Sequence, residues 1–134
     1  ILILNKSARV IHMLSKPAKK PSKSILRKRV DTLASKYYRD KTPYCEAEGL
    51  DTDVRCGGGL QWAHIFSRGI IHMRYEPYNN LVLCASHHFY WTHHPIEWTR
   101  FLEKHYPERL QLAEQQRYKI EKLDYQHWLD YFNN

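Results

Sequence analysis

The spacing of apolar residues predicts an amphipathic helix within the segment SILRKRVDTLASKYYRD. Four apolar side chains recur there at intervals of three or four residues: Leu26, Val30, Leu33 and Tyr37. They fall on one face of a helix, while the Lys and Arg side chains lie on the solvent-exposed face. Ser24 can cap the start of this helix, and Pro43 ends the pattern.

Two short apolar runs in the middle of the chain predict a pair of strands, at about residues 60–63 and 81–83. The strands would pair as a hairpin-like finger around a loop of residues 65–79. A helix is expected to start near Ala85 and to carry His88 inward.

Beyond Pro95 the pattern is helical, and both Pro95 and Pro107 suit the first position of a helix. The candidate core contacts of these helices are Ile96, Trp98, Phe101, Leu102, Leu110, Leu112 and Ala113. A last helical spacing runs over residues 120–132, through Ile120, Leu123, His127, Trp128 and Phe132. Its aromatic side chains are expected to form core or a partner surface rather than a base-stacking platform, so the tail is assigned to scaffolding.

Length and charge limit the class of protein. A chain of 134 residues predicts one domain over residues 25–134, with a core at 45–95 and a helical part at 96–134, preceded by a basic arm at 1–24. The opening ILIL is too short to cross a membrane and no secretory signal is visible, so a cytoplasmic protein without a membrane partner is expected.

The positive charge is concentrated at the amino-terminal end. The whole chain has a net charge of +7, and residues 1–44 contain twelve Lys and Arg against only Asp31 and Asp40. Such a segment favours a polyanionic partner, most simply the backbone of DNA or RNA. The alternative is a solvated, disordered tail, and both descriptions can hold for an arm that orders on nucleic acid.

The cysteines and one histidine have the spacing of a zinc site. Cys84 and His87 form a C-x-x-H pair after an apolar run, Cys56 precedes a Gly-rich turn, and ten residues separate Cys56 from Cys45 upstream. Two thiolate or imidazole ligands on each of two turns suit a closed tetrahedral zinc. The intervening ten residues would form an inserted loop. Burial of the cysteines as apolar filling is the alternative, and a disulfide is less favoured because three cysteines leave one over.

The remaining motif residues follow in the order His64, Asn79 and His88. The pieces Ala63-His64, Glu76-Pro77-Tyr78-Asn79, Leu83-Cys84 and His87-His88 resemble the HNH endonucleases of the ββα-metal fold, in particular the small phage-type members with a structural zinc. The resemblance covers roughly residues 36–105. It implies a mostly helical α+β fold, in which a ββα-metal finger is flanked by a basic amino-terminal helix and by carboxy-terminal helices.

The resemblance also implies roles for these side chains. His64 would be the general base, because a neutral imidazole can take a proton from water near pH 7. Asn79, or its neighbour Asn80, would fix the imidazole ring or the turn. His88 would hold a catalytic ion, and His93 is the candidate second ligand because Ala63, which precedes the base, cannot ligate. His94 would cap the next helix.

The function that the resemblance implies is hydrolysis of phosphodiester bonds in DNA. The cofactors would be a structural Zn²⁺ and a catalytic Mg²⁺, Mn²⁺, Ni²⁺ or Zn²⁺, and a phage or mobile-element role in packaging or recombination would place the protein in the host cytoplasm. Candidate nucleic-acid contacts are Arg68, Arg27, Lys28, Arg29, Lys36 and Arg39. Phosphate contacts with weak sequence preference are expected. The alternative is a catalytically silent, zinc-stabilised nucleic-acid-binding module, and the oligomeric state stays open.

Overall fold

The computed structural model describes residues 19–50 and 52–134. The helices are α1 (Lys23–Lys41), α2 (Ala85–His93), α3 (Pro95–His105), α4 (Pro107–Gln116) and α5 (Tyr125–Asn133), and the strands are β1 (Leu60–His64) and β2 (Asn80–Cys84). Short 3₁₀ turns at Ile71–Met73 and Pro77–Asn79 lie in the loop between the strands. The predicted α+β, mostly helical class is therefore confirmed.

Helix α1 begins slightly earlier than predicted. Ser22 caps it, because the hydroxyl oxygen of Ser22 accepts a hydrogen bond from the Ile25 backbone N–H at 3.3 Å, so the expected cap at Ser24 is wrong. The helix ends at Lys41, just before Pro43, as predicted. The basic residues of the arm before residue 19 lie outside the described residues, and the division into arm and domain stays a prediction.

The two strands pair in antiparallel register, with Trp62 opposite Val82 and His64 opposite Asn80. Because side chains alternate across a strand, the hairpin has two apolar faces. Trp62 and Val82 join a cluster with buried residues of α1 and α5, including Val30 and Trp128. The hairpin therefore lies between two helical layers.

The opposite face of the hairpin presents Ala63, Leu81 and Leu83 to the second cluster. Helices α2, α3 and α4 cover this face and contribute buried apolar side chains: Trp91, Phe101, Leu102, Leu110 and Ala113. Burial on both faces explains why β2 reads as a continuous apolar run. Both ends of this buried hairpin carry candidate site residues.

The carboxy-terminal helices confirm the proline positions and correct several core assignments. Pro95 and Pro107 do begin α3 and α4. Ile96 and Leu112 are exposed, and the predicted helix from residue 120 is wrong because Ile120 is fully exposed and α5 begins only at Tyr125. Trp128 and Phe132 are buried, as expected of core aromatics. Among the described residues, no helix combines the length and apolar composition that a membrane crossing needs.

Candidate functional site

Four potential metal ligands converge at the end of the hairpin where β2 meets α2. Cys45, Cys56, Cys84 and His87 place their ligand atoms within 4.8 Å of one another. The Nδ1 atom of His87 lies 3.6 Å from the Sγ of Cys45, 3.6 Å from that of Cys56 and 3.1 Å from that of Cys84. Only Cys56 is exposed, and all three cysteines are free.

These distances can be compared with those of a tetrahedral zinc site. Bonds of about 2.3 Å to sulfur and about 2.0–2.1 Å to nitrogen, at a tetrahedral angle, separate the nitrogen from each sulfur by about 3.6 Å. Two of the three separations have that value. The four residues therefore fit a structural zinc, and the predicted Cys45, Cys56, Cys84 and His87 cluster is confirmed.

The hydrogen bond on the far side of the His87 ring selects the tautomer that a metal needs. The hydroxyl of Thr52 donates to the Val54 carbonyl at 2.8 Å, so its oxygen accepts from Nε2–H of His87 at 3.0 Å. The lone pair is then left on Nδ1, which faces the three sulfurs. Thr52 lies in the inserted loop, and nothing in the sequence singled it out.

The Gly-rich turn after Cys56 packs against the start of α2. The backbone N–H groups of Ala85 and Ser86 donate to the carbonyls of Gly59 and Gly57, at 2.9 and 3.1 Å. They satisfy two of the N–H groups that the first turn of a helix leaves without a partner. This close approach brings the Cys56 segment beside Cys84 and His87.

Backbone hydrogen bonds also act on the thiol of Cys84. Burial alone would raise the pKa of this thiol, but hydrogen bonds from the backbone N–H groups of His87 and Gly57 outweigh it and lower the pKa to about 6. The His87 N–H lies 3.4 Å from Sγ. A thiolate is the form that ligates metal, so the turn favours the ligating state of Cys84.

A buried glutamate fixes the loop that carries Cys45. The Glu46 backbone N–H donates to the Val82 carbonyl at 2.8 Å, and the Val82 N–H donates to Glu46 Oε2 at 2.7 Å. Arg109 of α4 donates to the other carboxylate oxygen at 3.0 Å. The first zinc cysteine is thus held against β2. Glu46 and Arg109 could not be predicted from the sequence, because no spacing links two residues so far apart in the chain.

His64 and His88 line one cavity, of about 250 Å³, between the hairpin and α2. His64 ends β1, and His88 lies in the first turns of α2. Ser67, Thr92 and Trp98 also line the cavity. The strand-to-helix join at Cys84 therefore brings together the two histidines that the sequence singled out as base and ion ligand.

One nitrogen of His64 is already committed. Its Nε2 lies 3.1 Å from the Arg74 carbonyl, which can only accept, so Nε2 carries the proton and Nδ1 keeps a lone pair. Burial, reinforced by the positive charge of Arg68, lowers the pKa of His64 to about 4. The imidazole is neutral near pH 7, which is the state that a proton acceptor needs.

His88 has the opposite arrangement. Its Nδ1 donates to Oε1 of Gln61 at 2.7 Å, which leaves Nε2 as the nitrogen with the lone pair. Burial, with a contribution from Arg68, lowers the pKa of His88. Gln61 lies on β1, three residues before His64, and no motif in the sequence marks it.

Asn79 holds the loop rather than an imidazole ring. The side chain is fully buried; its Oδ1 accepts from the Phe66 N–H at 2.8 Å, and its Nδ2 donates to the carbonyls of Phe66 and Met73 at 3.2 and 3.1 Å. Asn80 makes similar bonds from the next position, to the carbonyls of Arg74 and Glu76. Both asparagines therefore fix the loop between the strands.

The later histidines lie away from the cavity. His93 is exposed, its ring packs edge-on against Phe89 with centroids 4.5 Å apart, and Thr92 rather than His93 lines the cavity. His94 occupies the cap position of α3 but makes no side-chain cap bond, and its Nδ1 donates to the Tyr90 carbonyl at 2.7 Å. Within residues 19–50 and 52–134, the Cys and His cluster is the one metal-like group found.

The candidate nucleic-acid contacts lie in two places, one beside His64 and the others on α1. The Cζ of Arg68 lies 5.3 Å from the Trp62 ring centroid, next to His64. On α1 the predicted contacts Lys28, Arg29, Lys36 and Arg39 are exposed, and Arg27 donates to the Tyr125 hydroxyl at 3.0 Å. Lys36 also pairs with Asp40 one turn away. These residues offer positive charge to solvent, and their contact with nucleic acid stays a prediction.

One ion pair connects α1 to the loop between the strands, at the residue whose carbonyl accepts a hydrogen bond from His64. Arg74 donates to both carboxylate oxygens of Asp31, at 2.8 and 2.6 Å, and the Tyr75 hydroxyl donates to Asp31 at 2.7 Å. The Arg74 carbonyl is the acceptor for His64. The basic helix and the histidine cavity are therefore fixed relative to each other.

Comparison of the chain with protein-family models, with curated proteins and with solved structures found no match.

Proposed function

We propose that this protein is a metal-dependent DNA endonuclease of the HNH type, which hydrolyses phosphodiester bonds. The observation that carries the proposal is the pair of histidines on one cavity, each with one nitrogen committed to a hydrogen bond. His64 is left with a lone pair on Nδ1, and His88 with a lone pair on Nε2. Nearby, the Cys and His cluster stabilises the join between strand and helix from which His88 projects.

His64 acts as the general base in this proposal. Its low pKa keeps the ring neutral at the pH of the cell, and the Arg74 carbonyl fixes the ring so that only Nδ1 can take a proton from water. Arg68, beside the same ring, can attract the scissile phosphate. His64 thus has a positive charge close to it, although Arg68 does not itself line the cavity.

His88 is the residue that would hold a divalent ion, through its Nε2 atom. Such an ion, when bound, supplies Lewis-acid stabilisation of the phosphate and of the leaving oxygen. Ala63 offers no ligand, and the geometry does not bring His93 to the cavity. His88 is therefore the one protein ligand proposed for the ion, whose further ligands would be water and substrate oxygen.

Cleavage of supercoiled plasmid tests the proposal. Zinc-loaded protein is assayed with Mg²⁺, Mn²⁺, Ni²⁺ or Zn²⁺ added in turn, and wild type is compared with His64→Ala at equal zinc content. We expect metal-dependent nicking that falls by about 10²- to 10⁴-fold without the base. His127→Ala, an exposed histidine on α5, is the matched control and should nick like wild type. Equal nicking by His64→Ala would refute the role of His64.

A zinc-stabilised nucleic-acid-binding module without catalysis is the second candidate. Two observations favour it: Ala63 stands where a ligand would precede the base, and the described part of the chain contains no second metal-like cluster. The same plasmid assay separates the two functions. Binding without nicking under all four ions would select the module.

A further inference from the structure

Residues 117–122, the first part of the segment between α4 and α5, combine an exposed tyrosine with basic side chains. Tyr118 is 79% exposed, and Ile120 beside it is fully exposed. The sequence RYKIEK contains the basic residues Arg117, Lys119 and Lys122 and one acidic residue, Glu121. We call residues 117–122 the α4–α5 loop. A large apolar ring held in water next to positive charge suits a partner that is both planar and anionic.

The α4–α5 loop is held in place at its amino-terminal end. The Arg117 N–H donates to the Ala113 carbonyl at 3.0 Å, and the Lys119 N–H donates to the Gln116 carbonyl at 3.1 Å. Nε2 of His72, in the loop between the strands, donates to the same Gln116 carbonyl at 2.8 Å. Tyr118 is therefore presented from a fixed turn, which lowers the entropy that a contact with this ring would cost.

A row of planar groups connects this turn to the loop that follows His64. The guanidinium carbon of Arg117 lies 4.7 Å from the Phe66 ring centroid and 4.9 Å from the Tyr118 ring centroid. Phe66 stands between Ile65 and Ser67, both of which line the histidine cavity. The row Phe66, Arg117 and Tyr118 thus runs from the edge of the cavity to the exposed surface.

We propose that Tyr118 is a stacking platform for an unpaired base of the strand whose phosphate enters the histidine cavity. Arg117, Lys119 and Lys122 would contact the adjoining phosphates. An aromatic face accepts any base, and basic side chains follow the backbone, which is the combination that single-stranded nucleic acid requires. Bases inside a duplex offer no free face. The proposal rests on the proposed function and names its substrate class: DNA with a single-stranded segment beside the point of cleavage.

Equilibrium binding tests the proposal without requiring any cleavage. Fluorescence anisotropy measures the Kd of the zinc-loaded, full-length protein for one labelled oligonucleotide, used both as a single strand and as a blunt duplex. No further divalent ion is added. The variants are Tyr118→Ala, Tyr118→Phe and Ile120→Ala, and the last is the matched control because it removes a fully exposed apolar side chain from the same loop.

We expect Tyr118→Ala to weaken binding of the single strand by about 5- to 150-fold, the range that one base stacked on an aromatic ring accounts for. Binding of the duplex should barely change. Tyr118→Phe keeps the ring and should bind like wild type, as should Ile120→Ala. Both side chains are exposed, so their removal should leave the fold intact, and the zinc content of each variant checks this.

Three results would overturn the proposal: wild-type binding by Tyr118→Ala, equal losses in Tyr118→Ala and Tyr118→Phe, or an equal loss in Ile120→Ala. The last would indicate an apolar surface for a protein partner. Results that refute the proposed nuclease activity can be distinguished from results that refute the stacking by Tyr118. Protein that never nicks DNA but binds single strands through Tyr118 would reject catalysis and keep this proposal, whereas nicking with Tyr118-independent binding would do the reverse.

Discussion

Three histidines of this protein each have one ring nitrogen committed to a neighbour, and that neighbour determines what the other nitrogen can do. The partner of His87 is Thr52, that of His64 is the Arg74 carbonyl, and that of His88 is Gln61. A neutral imidazole donates from one nitrogen and accepts at the other. The chemistry of the site at the scale of single residues is therefore set by the hydrogen-bond acceptors around each ring.

Gln61 is the acceptor most open to a direct test, because it is exposed and lies outside both apolar clusters. In Gln61→Leu the Nδ1 of His88 loses its partner, so both tautomers become populated. We expect nicking to fall by about 10- to 100-fold, as for other partners of ligating histidines. Nitrogen NMR of the His88 ring reports the tautomer independently of activity. Gln61→Glu retains the acceptor and should retain the tautomer, and an unchanged His88 spectrum in Gln61→Leu would contradict this role.

The ion pair of Asp31 with Arg74 predicts how the contribution of Asp31 to stability varies with pH. Burial would raise the pKa of Asp31, but hydrogen bonds from Arg74 and Tyr75 outweigh it and lower the pKa below its ordinary value. A carboxylate with a lowered folded pKa stabilises the protein above its unfolded pKa, and this stabilisation is lost only as the pH falls through the folded value. The contribution of Asp31 should therefore be constant between pH 7 and pH 5.

Urea unfolding of Asp31→Asn tests this at both pH values. We expect the variant to lose about 1.5–3 kcal/mol, the usual contribution of hydrogen bonds to a charged group, and to lose equal amounts at pH 7 and pH 5. Asp40→Asn is the matched control, since Asp40 pairs with Lys36 on the exposed side of the same helix and should change stability by less than about 0.5 kcal/mol. A loss that grows at pH 5 would mean that burial dominates and raises the pKa of Asp31, because the folded state would then take up a proton more readily than the unfolded state.

At the scale of secondary-structure elements, the site depends on how closely the Gly-rich turn approaches the first turn of α2. Gly58 has φ +76°, and a Cβ on it would lie 2.7 Å from the Cβ of Ala85. Gly49 has a similar φ of +72° but nothing within 4 Å of a Cβ. Gly59 has neither constraint. These three glycines separate the effect of backbone conformation from that of packing.

The three alanine substitutions should therefore form a graded series in thermal stability. Gly59→Ala should be nearly neutral. Gly49→Ala should lose about 1–2 kcal/mol from the left-handed conformation alone. Gly58→Ala should lose more than Gly49→Ala and should also weaken zinc binding, because the turn must move away from α2 and takes Cys56 with it. Equal losses at Gly49 and Gly58 would show that the approach to Ala85 does not matter.

Local pattern was sufficient to predict most of the elements and the Cys and His cluster. The hairpin was found because its apolar runs are bounded by turn residues, and α3 and α4 because a proline begins each. The zinc cluster was found because cysteine and histidine are the usual soft ligands. Ile120 was assigned to the last helix because the helical spacing of apolar residues extends upstream of Asp124. The helix begins only after Asp124, whose side chain caps α5 by accepting from the His127 N–H.

The supporting residues could not be predicted, because they act across long separations in the chain. Thr52 reaches His87, Gln61 reaches His88, and Arg109 reaches Glu46, at separations of 27 to 63 residues. No local period links such pairs, and a hydroxyl or amide side chain has many possible partners. Only the packing of the hairpin against its two helical layers decides which of them meet.

In the molecule as a whole, the Cys and His cluster joins three separate segments of chain. Cys45 follows α1, Cys56 ends the inserted loop, and Cys84 with His87 forms the strand-to-helix join. The ring of His87 also contacts Trp91, with centroids 5.1 Å apart, and Trp91 belongs to the cluster of α2, α3 and α4. A ligand at this point therefore constrains the loop after α1, the hairpin and the apolar core together.

Removal of the metal should consequently unfold the core. The free energy of zinc binding in such sites is also free energy of folding, because the unfolded chain holds no preformed cluster. We expect a strong chelator to abolish the near-UV circular dichroism, to which Trp91 contributes, and to lower the melting temperature, and we expect added zinc to restore both. Cys84→Ser is the matched control and should show neither response to the chelator. Chelation that leaves the spectrum and the melting temperature of wild type unchanged would mean that Cys45, Cys56, Cys84 and His87 hold no structural metal.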